Sequence, residues 1–189
     1  MPVPGTYEQI TAFLENPPAI DFASTLFVVE GGANDYILQP NNTGGVSASL
    51  LRNGVRKLKR AGATNFMFFN YPDMSLIPWD SWIPPANKTG FRTYSEQLSE
   101  GLDHLANEVD GYYIDLIPVF YDFMYYGQPT LYGFPPFGAY GSCVVGPYQE
   151  TPNTTICDNP EDYVFWDAYH PSAKSHQWIA KAALIELSS

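Results

Sequence analysis

The chain has 189 residues, is rich in aromatic side chains and poor in charged ones, and carries a net charge of −11. That length suits one domain with a sizeable core, and so apolar a composition excludes a disordered chain. The acidic balance argues against nucleic acid or an anionic membrane as a partner, since both require clustered Lys and Arg, and no run approaches the ~20 apolar residues that span a bilayer.

From the amino end, residues 6–15 place Ile10, Phe13 and Leu14 on one helical face, with Thr6 as N-cap and Pro17-Pro18 as the stop. Residues 26–29 read as a buried strand that runs into Gly31-Gly32-Ala33-Asn34-Asp35. Paired glycines and an amide after a strand suit an anion-stabilising site at the carboxyl end of a parallel sheet. Gly32 permits close backbone approach, and Asn34 offers its NH₂ to a developing oxyanion. The plainer alternative is a Gly-Gly turn with Asn34 or Asp35 capping a helix.

A second helix over 46–60 carries a stripe of Leu50, Leu51, Val55 and Leu58. Its basic residues Arg52, Arg56, Lys57, Lys59 and Arg60 read as cations placed favourably near a helix C-terminus rather than as a nucleic-acid patch. Gly62 ends it, residues 65–70 form a buried strand, and a proline-rich loop holds Trp79, Trp82, Pro84 and Pro85. A third helix over 94–109 points Leu98, Leu102 and Leu105 inward, with His104 toward solvent. A strand over 112–117, a short helix over 119–125 and a long loop over 127–162 follow. The closing helix, 173–187, turns Trp178, Ile179, Ala182 and Ile185 inward and carries His176 in its first turns. Strands alternating with helices predict a parallel sheet covered on both faces.

Cys143 and Cys157 lie in a Gly/Pro/Thr-rich loop, either as free thiols or as a disulfide closing a loop of about 15 residues, worth roughly 3 kcal/mol in the chain-entropy model. The Asn-x-Ser/Thr triplets at Asn41, Asn87 and Asn153 fall in segments that read as exposed loops. With the cysteine pair they favour a secretory route and an extracellular destination, although no signal peptide opens the chain. No His/Cys spacing suggests a metal, and Asp158, Glu161 and Asp162 read as a solvated loop rather than a calcium site. No cofactor is expected.

Near the carboxyl end the chain reads Phe165-Trp166-Asp167-Ala168-Tyr169-His170-Pro171-Ser172. An acid three residues before a histidine, ahead of a helix, delivers two members of a hydrolytic triad on one turn. The carboxylate holds Nδ1–H, leaving Nε2 to take a proton from a nucleophile. A surface loop with an incidental Asp and His is the alternative for the bare spacing.

Gly-x-Asn-Asp after a strand, followed by Asp-x-x-His-Pro before the last helix, resembles the GDSL family of SGNH hydrolases. The phrases Tyr132-Gly133-Phe134 and Cys157-Asp158-Asn159-Pro160, running on to Asp167, are similar to its plant and fungal lipases and acylhydrolases, and the resemblance extends from about Tyr7 to Leu187. It implies a three-layer α/β/α, flavodoxin-like sandwich as a single domain over residues 1–189, with Asp167 and His170 as acid and base and Gly32 and Asn34 in the oxyanion hole. It implies ester hydrolysis on small-molecule, lipid or acylated-carbohydrate substrates.

Two of the family's four signature blocks are absent: no Gly-Asp-Ser follows an N-terminal strand, and no glycine-bearing second block precedes Tyr7. Ser142 lacks the strand-turn-helix setting of an exposed nucleophile, Ser24 precedes its strand, and Ser47 and Ser49 read as helical. The chain is therefore expected to lack the first strand and the serine, and to be a truncated member inactive alone. The rival expectations are a non-catalytic module that binds carbohydrate or lipid through the aromatic loop, and an enzyme completed by a separate N-terminal fragment. Acyl and alcohol specificity and oligomeric state are not legible in the sequence.

Overall fold

A computed structural model of the chain describes residues 3–78, 85–124, 128–146 and 154–188, with the side chains of residues 85–87 excepted. Two compact units are distinguished, Met1–Tyr71 with Gly90–Asp115, and Pro72–Thr89 with Leu116–Ser189.

The first unit is built on a parallel three-stranded sheet of order β1-β2-β3, with β1 over Leu26–Val29, β2 over Asn65–Phe69 and β3 over Tyr112–Ile114. Leu26 pairs with Asn65 and Met67 with Tyr112, which fixes the register. Phe66, Met67 and Phe68 of the central strand are buried, as a strand with neighbours on both sides requires. Among the described residues β1 is an edge strand that pairs with β2 alone, and Leu26 and Val28 stay 38% and 55% exposed. An apolar parallel strand in that position is incompletely covered.

Helices α1 (Thr6–Glu15), α2 (Ala33–Leu38) and α3 (Gly44–Arg60) belong to this unit, as does α4 (Pro85–Val109) from Gly90 onward. In α1 the cap position belongs to Gly5, not Thr6, which is already helical. Ile10 is its buried residue and abuts Gly54 of α3, while Phe13 meets Phe27 of β1 edge-on. The buried stripe of α3 is Gly44, Ser47, Ala48, Leu51, Gly54, Val55 and Leu58, and Leu50, expected within it, is 47% exposed. Four of those seven positions are small residues that let other chain segments approach closely. A stripe traced by large apolar side chains alone was therefore rotated toward Leu50.

In α4, Leu98, Leu102 and Leu105 are fully buried as expected, and His104 is exposed. The helix begins nine residues earlier than its apolar period shows, at Pro85, where proline is tolerated because the first N–H groups have no partner. Asn87, expected in a loop, thus lies in the first turn of α4, although its side chain is outside the described residues. The basic residues of α3 serve packing: Arg52 and Arg56 pair with Glu108 at 3.1 and 2.9 Å, and Lys57 donates to Thr11 and lies over the ring of Tyr7.

In the second unit, α5 spans Ile117–Met124, so β3 stops three residues short of the expected 117. Pro118 falls in the first turn of α5, where it supports the helix instead of extending the strand. The aromatic stretch packs on itself: Phe120, Phe123, Phe134 and Phe165 are buried, and Phe123 makes edge contacts with Tyr132 and Phe134. A two-stranded antiparallel ribbon joins β4 (Val144–Val145) to β5 (Thr155–Ile156). The final helix, α6 (Ala173–Glu186), buries Ser175 and Ala183 and leaves Ile185 71% exposed, contrary to the expected face. Trp178 still anchors it, with its indole N–H on Tyr132 O at 3.1 Å. Among the described residues no helix is long and apolar enough to cross a membrane. Trp79, Trp82, Pro84 and Asn153 lie outside the described residues.

Candidate active site

Residues 164–172 form a pinned bend ahead of α6. Val164 O accepts from Ser172 N at 2.8 Å and from Ser175 Oγ at 2.6 Å, Phe165 bridges Pro171, and Trp166 N donates to His170 O at 2.8 Å. Asp167 closes the bend from inside. Its Oδ1 accepts the backbone N–H of Tyr169 at 2.8 Å and of His170 at 2.7 Å, the local turn that aspartate favours. The same carboxylate meets His170 Nδ1 at 2.9 and 2.8 Å. The three-residue spacing thus folds the imidazole back onto its own acid.

Burial differs sharply across the pair, since the Asp167 side chain is 8% exposed and that of His170 60%. Burial alone would raise the Asp167 carboxyl, but the N–H of Tyr169, the ring of His170 and the His170 N–H outweigh it and hold the group below the usual carboxylate range. An ionised acid fixed on Nδ1 sets the tautomer and makes Nε2 the nitrogen that exchanges protons. His176 does not join the pair; its Nδ1 lies 2.9 Å from Ser172 O within α6.

The loop carrying the dyad is braced from outside. Cys143 N donates to Phe165 O at 3.1 Å and Val144 N to Trp166 O at 2.7 Å. Cys143 is disulfide-bonded to Cys157, which resolves the choice between thiols and a bridge. Lys174 reaches back to Gly133 O and Glu161 O, with its ammonium over the ring of Phe134. Ser142 Oγ donates to Val144 O, so that hydroxyl is used within the brace.

Gly32 and Asn34 belong to the first unit. Gly32 is the N-cap of α2 with φ 109°, a left-handed conformation that favours glycine, and an added Cβ would also meet Leu98 at 3.1 Å. Asn34 is exposed in the first turn of α2, so the helix of the plainer reading exists, with glycine rather than Asn34 or Asp35 as its cap. A buried network fixes this loop. Tyr94 Oη donates to Gly32 O at 2.6 Å and lies 2.7 Å from Ser47 Oγ, which in turn donates to Asp35 Oδ2 at 2.6 Å. Burial first, with the Asp35 charge adding, pushes the Tyr94 phenol up to about 12 against the lowering effect of Ser47. Sequence reasoning missed Tyr94 because 62 residues separate it from Gly32.

The family model described as GDSL-like Lipase/Acylhydrolase matches residues 5–183. This chain belongs to the GDSL lipase/acylhydrolase family. Its parallel sheet and, among the described residues, six helices are consistent with the SGNH-type α/β/α sandwich, and the family takes its description from lipases and acylhydrolases. Similar proteins include GDSL esterase/lipase 6 of Arabidopsis thaliana, 24% identical over 181 residues, covering 84% of this chain and 50% of the relative. GDSL esterase/lipase At2g19010 of the same plant is 25% identical, covering 89% of the chain and 55% of the relative. GDSL esterase/lipase At1g58525 is 28% identical over 142 residues. This GDSL-family chain spans about half the length of the curated relatives it matches.

Proposed function

We propose that the chain supplies the acid–base half of a serine ester hydrolase, with the attacking hydroxyl delivered from outside its 189 residues. The observation that carries this reading is the Asp167–His170 pair, a buried ionised acid on Nδ1 of an exposed imidazole. In the reaction His170 Nε2 takes the serine proton as the hydroxyl oxygen bonds to the ester carbonyl carbon. It returns that proton to the departing alcohol, and water then releases the acyl group by the same route in reverse. Gly32 N–H and the Asn34 side-chain amide stabilise the oxyanion.

Three hydroxyls in the chain have other engagements, which supports an external nucleophile. Ser142 bonds Val144 O, Ser47 is buried between Asp35 and Tyr94, and Ser24 donates to Asp21. The uncovered edge of β1 supports a further parallel strand beside Leu26 and Val28. The Cys143–Cys157 bridge and the exposed Asn41 support a secreted, glycosylated protein. The test is the rate of p-nitrophenyl acetate hydrolysis by the chain alone and by the chain expressed with the sequence encoded upstream of it. Activity is expected only in the longer product, and His170→Ala is expected to lower it at least ~10²-fold. Equal activity of both forms would refute the external nucleophile, and full activity of His170→Ala would refute the dyad.

A further inference from the structure

The second unit contains a small cavity that the dyad does not use. It is lined by Pro72, Asp73, Leu76, Ile77, Phe120, Tyr121, Met124 and Phe165, and has room for little more than a methyl group. Its walls are almost wholly apolar. The carboxylate of Asp73 is turned to the backbone, accepting Ser75 N at 2.8 Å, so it does not make the cavity an ion site. Phe120 and Phe165 are 4% and 2% exposed and in ring contact, whereas Leu76, Ile77 and Met124 are only half-buried.

Phe165 ties this cavity to the chemistry. It stands two residues before Asp167 on the bend pinned by the Phe165–Pro171 bridge and the Trp166–His170 hydrogen bond. Chain geometry keeps its Cα within roughly 7 Å of that of Asp167. An apolar concavity among the described residues, walled by a residue of the dyad loop, suits the end of a short substrate chain.

We infer that this cavity seats the terminal methyl of a short unbranched alkyl chain of the ester, bounded in length by Phe120 and Phe165. The inference rests on the hydrolase reading for the ester, but the seat itself is tested by binding alone. The chain of either the acyl or the alcohol side would satisfy it, and two isomeric, hydrolysis-resistant amides separate these. N-methylbutyramide carries its propyl group on the acyl side, and N-propylacetamide carries it on the nitrogen that replaces the alcohol oxygen.

The experiment is NMR titration of the 189-residue chain with N-methylacetamide, the two isomers and N-methyloctanamide. At least one isomer is expected to show transfer from its propyl methyl to the Met124 methyl and the Phe120 and Phe165 rings, binding roughly fourfold tighter than N-methylacetamide for the one carbon the cavity buries. The tighter isomer names the side, and N-methyloctanamide is expected to gain no further affinity. Met124→Trp, or Leu76→Phe if that variant melts early, is expected to abolish these contacts with the thermal midpoint retained. Ligand contacts elsewhere, no contacts, or affinity that climbs steadily to the octanamide would overturn the inference, whatever the hydrolysis assay shows. Contacts at the cavity with no hydrolysis by either form of the protein would leave the seat standing and sink the hydrolase reading.

Discussion

Asp167 does three jobs with one carboxylate: it closes a turn, fixes a ring and stays ionised while largely buried. Because its carboxyl is held below the usual range, its contribution to stability is fully present above the unfolded carboxylate value of about 3.9 and is lost as pH falls through the lower folded value. Asp167→Asn, which removes the charge but keeps an oxygen for the turn, is expected to cost about 1–3 kcal/mol at pH 7. The gap between the two proteins in thermal midpoint should narrow as pH drops below about 4. A constant gap down to pH 2 would mean that the charge has no role. The pairing itself was legible because acid and base lie three residues apart and the turn between them is local. The anchor of Gly32 was not, because Tyr94 and Ser47 reach it through packing that no local pattern encodes.

At the level of elements, α3 and α4 meet through backbone rather than through large side chains. A Cβ on Gly44 would lie 2.3 Å from Tyr94 O and 2.4 Å from Leu98 N, and one on Gly101 would lie 2.3 Å from the Cβ of Ala48. Helix propensity predicts that Gly44→Ala stabilises by up to about 1 kcal/mol. The crossing predicts the reverse, a loss of about 1–3 kcal/mol, since backbone atoms cannot yield as a flexible side chain can. Urea unfolding of the variant decides between them by the sign of the change. The same contacts explain which elements the sequence reveals. β1 matched its expected bounds because four consecutive apolar residues are followed by Glu30 and paired glycines, and α4 showed its buried Leu98, Leu102 and Leu105 by their period. The expected stripe of α3 holds at Leu51, Val55 and Leu58 and fails at Leu50, and the apolar face of α6 was misplaced, because Ser, Ala and Gly occupy buried positions that hydrophobic patterning passes over.

For the whole molecule, family membership follows from a match over residues 5–183, while the chain covers about half of its curated relatives. The edge position of β1 among the described residues and the engaged hydroxyls of Ser24, Ser47 and Ser142 support the proposed reading, in which Asp167 and His170 serve an atom that comes from elsewhere. Reaction with a fluorophosphonate, followed by digestion and mapping of the adduct, tests this most directly. The expected result is no adduct on any hydroxyl of residues 1–189 in the chain alone, and, in the longer product, an adduct on a serine of the added segment that disappears in His170→Ala. An adduct on Ser142 or any other hydroxyl of the isolated chain, dependent on His170, would contradict it.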